Sequence, residues 1–255
     1  MTIWEAVAVF VAGLGAGTIN TIVGSGTLIT FPVLLATGLP PVTATVSNGL
    51  GLIPGSISGA IGYRKELTGQ RRRIVRLGIG AAIGGFTGAT LLLALPSTAF
   101  ETIVPILVGL ALVLVILQPY ISKAVQRRRE RHGTQAKADG GPLLFVAIMI
   151  ASVYGGYFTA AQGIIYVALM GMLLQDSMQR INATKNVLAA LVNSVAALFF
   201  VFVADIDWQA AGLIAVGSTI GGQIGARVGR RLPPTALRIV IVLVGLAAIA
   251  QLVLK

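Results

Sequence analysis

The chain has 255 residues, 56% of them hydrophobic and 11% charged, with a mean hydropathy of +0.90. A soluble domain of this size cannot hide that much apolar surface, so a polytopic helical membrane protein is expected. The net charge of +11 sits in short clusters between apolar runs and not on one extended basic face, which argues against a nucleic-acid partner; the absence of cysteine excludes disulfides and thiol chemistry.

A crossing helix needs about 20 apolar residues. The first apolar run, 3–38, is too long for one comfortable crossing and contains "GSGTLITFP" at 24–32. Its glycines allow a turn at Gly24-Ser25-Gly26-Thr27, and Pro32 suits the first turns of a new helix better than its middle. No basic segment precedes this run, so a cleaved signal peptide is not expected. Spans follow near 43–63, 74–95 and 99–119, with Pro54 and Pro105 marking kinks. The linker, about 120–141, carries "RRRERHGTQAKADGG" and reads as polar and mobile. The run 142–175 is again overlong and breaks near Ala161-Gln162-Gly163, after "YGGYFTA". Spans near 186–204, 208–229 and 235–253 complete the chain.

The two halves resemble each other. "IGGFTGATLLLALP" at 83–96 matches "IGGQIGARVGRRLP" at 220–233, and "VGLAL" at 108–112 matches "VGLAA" at 244–248. "SNGLGLIPGS" lines up with "KNVLAALVNS", pairing Asn48 with Asn186 and Ser56 with Ser194, while Gly17 pairs with Gly155. Four matches in order at a nearly constant offset mean duplication. Charge then sets relative orientation. Arg64, Lys65, Arg71, Arg72, Arg73 and Arg76 follow the second span of the first half, whereas Asp205 and Asp207 occupy the equivalent loop of the second. Near Pro96 there is only Glu101, but the matching loop holds Arg227, Arg230, Arg231 and Arg238. If basic loops are cytoplasmic, the repeats are inverted. Counting each overlong run as two legs gives five segments per half and places every Lys and Arg except Lys255 inside. The expected fold is therefore all-α, with two inverted repeats of about five helical segments, each opened by a broken helix or helical hairpin. Its parts are 1–120, the cytoplasmic linker 121–141, and 142–255.

Two broken helices entering from opposite sides are a pointer to a transport site. A helix restarting at Ser25 to Thr27 offers unpaired N–H groups and a positive dipole end, which suit an oxyanion. Asn20, Thr21, Thr27 and Gln162 add neutral donors. Tyr157 lies beside the second break, although Tyr154, Tyr157 and Tyr166 read equally as interfacial anchors. Asn48, Asn186 and Asn193 must find partners in an apolar surrounding, as glue between helices or as site residues. Lys185, just inside its span, either snorkels to the surface or contacts the anion. Gly13, Gly15, Gly17, Gly84, Gly85, Gly88, Gly221, Gly222 and Gly225 read as helix-packing positions. All Asp and Glu map to loops or span ends, and no Ser-His-Asp set or metal cluster is present, so an enzyme, a metal and a cofactor are not expected.

"GAGTINTIVGSGTLITFPVLLATGLPPVTATVSNGLGLIPGS" resembles the first repeat of the TauE/SafE family of sulfite and organosulfonate exporters. "YGGYFTAAQG", "INATKNVLAALVNSVAALFFVF" and "IGGQIGARVGRRLPP" resemble its second repeat, so the likeness covers all but the linker. It implies a permease that moves small sulfur-containing anions across the bacterial inner membrane, usually outward. It also puts the family's glycine-rich break on Gly24 and Gly26, the polar start of the next helix on Ser47 and Asn48, and the counterpart on Thr184, Lys185 and Asn186. Ser47 stands where threonine is frequent and Thr159 where glycine is frequent. A small anionic substrate and the bilayer are the expected partners; a coupling ion and an oligomer are left open. An anion channel and a membrane protein without transport are the alternatives.

Overall fold

The computed structural model describes residues 1–132, 140–174 and 176–228, together with Ile239, Val242, Leu243 and Leu246. Apart from those four, the span expected at 235–253 lies outside the described residues, as do Arg230, Arg231, Arg238 and positions 133–139 of the linker. Among the described residues the chain is all-helical: α1 (Ile3–Ile22), α2 (Thr27–Ala36), α3 (Pro41–Gly62), α4 (Arg71–Ala94), α5 (Ser97–His132), α6 (Gly141–Tyr157), α7 (Gln162–Leu173), α8 (Met178–Val203) and α9 (Trp208–Val228).

Helix starts follow local chemistry. Thr2 and Glu5 form a reciprocal capping box on α1, Pro41 opens α3, and the Ser177 hydroxyl accepts from Arg180 N at the start of α8. Four segments are long and apolar enough to cross a membrane: α1, α4, Thr98–Leu117 of α5, and α8. Helices α3 and α9 have 22 and 21 residues, but Gly, Ser and Thr dilute their apolar content. The exterior of the bundle is greasy, with Ile106, Ile150, Leu198 and Phe202 exposed, whereas Ser47, Asn48, Thr184 and Lys185 are buried. That is the arrangement of a protein solvated by lipid, in which polar groups must pair inside.

Packing crosses between the halves. Helix α1 lies along α9 and α4 along α6, while α3 fits between α8 and α9. These seams need glycine: a Cβ on Gly17 would overlap the Ser218 carbonyl, and one on Gly88 the Val153 carbonyl. Gly15 does not share this role, because a Cβ there would meet only the Ile29 Cδ1 at 4.0 Å. The packing expectation fails at that one position because α1 turns Gly15 away from α9.

Three other expectations change. Helix α5 continues to His132, so the first part of the linker is helical; Arg, Glu and Gln are good helix formers and need no apolar face to extend an existing helix. Pro32 lies inside α2, not in its first turn. Tyr166 is fully buried, and the Tyr154 hydroxyl donates to Ala160 O at 2.6 Å, so neither is an interfacial anchor.

At one end of the bundle, the loops before α4 and before α8 are clasped together. Asp176 accepts from Arg73 at 2.6 Å and from Arg180 at 2.7 Å, and Arg180 also donates to the Thr68 carbonyl. Partial burial pushes the Asp176 carboxyl up, but hydrogen bonds from Arg73, Arg180 and Ser177 outweigh it and hold its pKa below the usual value.

Candidate functional site

The two breaks meet. Helix α1 ends where Val23 N and Gly24 N both donate to Ile19 O, and Gly24 turns the chain with φ 93°. Helix α6 ends at Tyr157, and the chain turns at Ala161, which carries φ 58°, a left-handed conformation that costs a non-glycine residue about 1 kcal/mol. Gly163 N donates to Gly24 O at 3.1 Å, joining one break to the other. A Cβ on Gly24 would stand 2.5 Å from Gly163 Cα, so only glycine allows this approach. Gly26 packs just as closely on the Ala16 carbonyl, so its small size serves the hairpin.

Lys185 closes the first break. Its residue is 1% exposed, and its ammonium donates to the carbonyls of Asn20 at 2.8 Å and Thr21 at 3.0 Å. These carbonyls belong to the last turn of α1, where no helical N–H remains to satisfy them. Lys185 therefore does not snorkel. Helix α8 begins at Met178, two turns before this lysine, which carries the side chain well inside the bundle. No carboxylate pairs with it among the described residues.

Around the restart of α2, Thr27 shares a hydrogen bond of 2.9 Å with Thr159 and accepts from Asn48 Nδ2 at 3.1 Å, while Thr30 donates to Asn48 Oδ1. Asn48 thus knits α3 to α2, and Thr159 ties both to the second break. Among the described residues the amides of Ser25, Gly26 and Thr27 find no acceptor, and the Ser25 hydroxyl is fully buried without a partner. Across the break, Gln162 Nε2 donates to the Tyr166 hydroxyl at 2.6 Å, which in turn meets Ser152.

The candidate residues thus fall into two adjoining groups. Asn20, Lys185 and Asn186 lie by the end of α1, with Asn20 donating to Ser56 and Asn186 Nδ2 unpartnered. Gly24, Ser25, Gly26, Thr27, Asn48, Tyr157 and Gln162 lie at the meeting of the breaks. Ser47 and Thr184 stand apart. Ser47 accepts from Asp207 N at 2.9 Å, and Thr184 donates to Gln70 Oε1 at 3.0 Å, so each ties a helix to the loop beside it. The same sequence offset separates Ser47 from Thr184 and Gln70 from Asp207. Thr30, beside Asn48, and Thr45, on the same helix as Asn48, are further candidates that the sequence does not single out; Thr159 stands out there only as a departure from the family pattern. Thr30 was legible, since it follows Thr27 by one turn on the same face; Thr45 precedes Asn48 in the same way.

Chemically, the crossing gathers free amides at a helix N-terminus, hydroxyl and amide donors, and one ammonium. That combination attracts anions. The family model described as sulfite exporter TauE/SafE matches residues 9–252. The chain belongs to the sulfite exporter TauE/SafE family. It is a multi-pass membrane transporter by that membership. It is 28% identical to the probable membrane transporter protein YfcA of Escherichia coli strain K12, over 95% of this chain and 87% of that protein. It is 24% identical to a probable membrane transporter protein of Haemophilus influenzae, over 96% of this chain and 92% of the relative. A third relative, the probable membrane transporter protein ORF9 of a Sinorhizobium species, is 24% identical over 95% and 90%. No solved structure matches the chain.

Proposed function

We propose that this TauE/SafE member is a secondary transporter that exports small sulfur-containing anions, sulfite or organosulfonates, across the bacterial inner membrane. The observation that carries the reading is the buried Lys185 ammonium, without a carboxylate partner among the described residues, at the crossing of two broken helices. A positive charge in that place favours an anionic cargo, and the free amides of Ser25 to Thr27 add the positive end of α2. In this reading the two halves are inverted repeats, and rocking of one against the other exposes the crossing to each side in turn. Thr27 and Asn48 orient the anion's oxygens, Tyr157 and Gln162 border its path, and Asn20 and Asn186 line the approach beside Lys185.

The test is flux by the purified protein in liposomes against sulfite, thiosulfate, sulfoacetate, sulfate and small carboxylates. Saturable flux of the sulfur oxyanions, accelerated by the same anion on the opposite side, is expected. Flux that neither saturates nor exchanges would make the protein a channel. Absence of any anion-dependent flux would leave it without this function.

A further inference from the structure

At the end of α1 the chain supplies its own cation, Lys185, to the freed carbonyls. The end of α6 has no such group. Phe158 N closes the last turn on Tyr154 O at 2.7 Å, and the carbonyls of Gly155, Gly156 and Tyr157 beyond it accept no hydrogen bond among the described residues. This is the negative end of a helix, left unmatched inside the protein.

Beside it is a small cavity with room for about one water molecule. Gly156 and Tyr157 of α6, Thr159 of the break, Thr45 of α3 and Asn193 of α8 line it. Three of these side chains hold an oxygen shut off from solvent with no partner: Thr45 Oγ1, Tyr157 Oη and Asn193 Oδ1. Thr45 and Asn193 are each only 4% exposed. A buried polar atom without a partner is costly, so three around one cavity call for an occupant.

The chemistry of the lining narrows the occupant. Among the described residues no basic side chain borders the cavity, and a sulfur oxyanion is too large for a space that holds about one water. No carboxylate among the described residues borders it either, and calcium or magnesium would need at least one. Neutral oxygens at the carbonyl end of a broken helix are the ligands that transporters offer to a small monovalent cation. We infer that Thr45, Tyr157, Asn193 and the carbonyl end of α6 form a sodium-ion site. The ion does at α6 what Lys185 does at α1, and it gives the protein a means of coupling cargo movement to a sodium gradient.

The experiment is equilibrium binding of radioactive 22Na+ to the purified full-length protein in detergent, with K+ making up the ionic strength. The expected result is saturable binding of one ion per chain that K+ does not displace at equal concentration. Thr45→Val, which removes one ligand oxygen, should weaken it about tenfold. Asn193→Asp, which places a carboxylate among the ligands at nearly constant size, should tighten it about tenfold or more. Melting curves of each variant in Na+ and in K+ identify which of them fold. Absence of sodium binding by the wild-type protein overturns the site, and so does a folded Asn193→Asp variant with unchanged affinity. The measurement needs no anion, so sodium binding without anion flux, or the reverse, separates this inference from the proposed cargo.

Discussion

Replacing Lys185 by methionine keeps the length of the stem and deletes the ammonium. The carbonyls of Asn20 and Thr21 then lose donors at 2.8 and 3.0 Å, in a place where the lysine is 1% exposed and water cannot substitute. Each unsatisfied carbonyl costs about 1–3 kcal/mol. Part of that is returned because an ammonium need no longer be desolvated. A net loss of about 3 kcal/mol is expected, which lowers the melting temperature of a chain this size by about 6–12 °C. Lys185→Gln can still donate to one carbonyl and should lose about half as much. Thermal unfolding in detergent, followed by intrinsic fluorescence, measures both. In liposomes, at fixed ionic strength, Lys185→Gln should weaken the apparent affinity for a divalent anion more than for a monovalent one. Lys185→Arg should keep the wild-type ratio between the two even where its bulk against Gly163 reduces yield. A methionine variant that melts within about 2 °C of wild type would refute the idea that this ammonium holds the end of α1. Equal loss for both anions would refute its role in attracting charge.

The proposed inverted topology predicts that, in the cysteine-free chain, cysteines at Thr98 and Gln209 react with an impermeant thiol reagent from outside intact cells, while those at Thr68 and Gln179 react only after permeabilisation; labelling of Gln179 from outside would undo the proposed five-plus-five arrangement. Gly17→Ala should destabilise the protein by overlapping the Ser218 carbonyl, whereas Gly15→Ala on the same helix has room and should be neutral or stabilise by up to about 1 kcal/mol, as melting curves would show. Asp176→Asn should cost about 1–3 kcal/mol at pH 6, where the wild-type carboxylate is ionised and clasped by two arginines. Because the folded pKa is lowered, this contribution is complete above the unfolded value of about 3.9 and fades as pH falls through the lower folded value. The melting-temperature gap between the two proteins should therefore close in strong acid and nowhere else.

Much of the architecture was legible because membrane helices are written in long, charge-free runs and their interruptions stand out. Gly24 to Thr27 and Ala161 to Gly163 announced the breaks by composition alone, and the structure places both turns there. What escaped were depths and directions. Lys185 looked peripheral because the apolar count of its span starts after it, yet α8 takes in the polar Gln179, Arg180 and Asn182 before reaching it. Gly15 shares the spacing of its neighbours, but spacing does not say which face of α1 meets α9. Asn193 was visible as a costly residue to bury. Its lack of a partner depends on where α3 and the end of α6 stop, and that is a property of the assembled bundle.

The cross-packing of α1 on α9 has a consequence for the order of events at the ribosome. Helix α1 is synthesised first, and its glycine seam is matched only when α9, about 200 residues later, has been made. At elongation rates of about 5–20 residues per second, that interval is on the order of 10–40 s. During it, the small-residue face of α1 has no permanent neighbour. The early helices must therefore wait at the insertion machinery or in the bilayer as a loose set. The crossing closes only when Gly163 and Lys185 arrive, so the proposed cargo site is complete only after the first half has waited for the second.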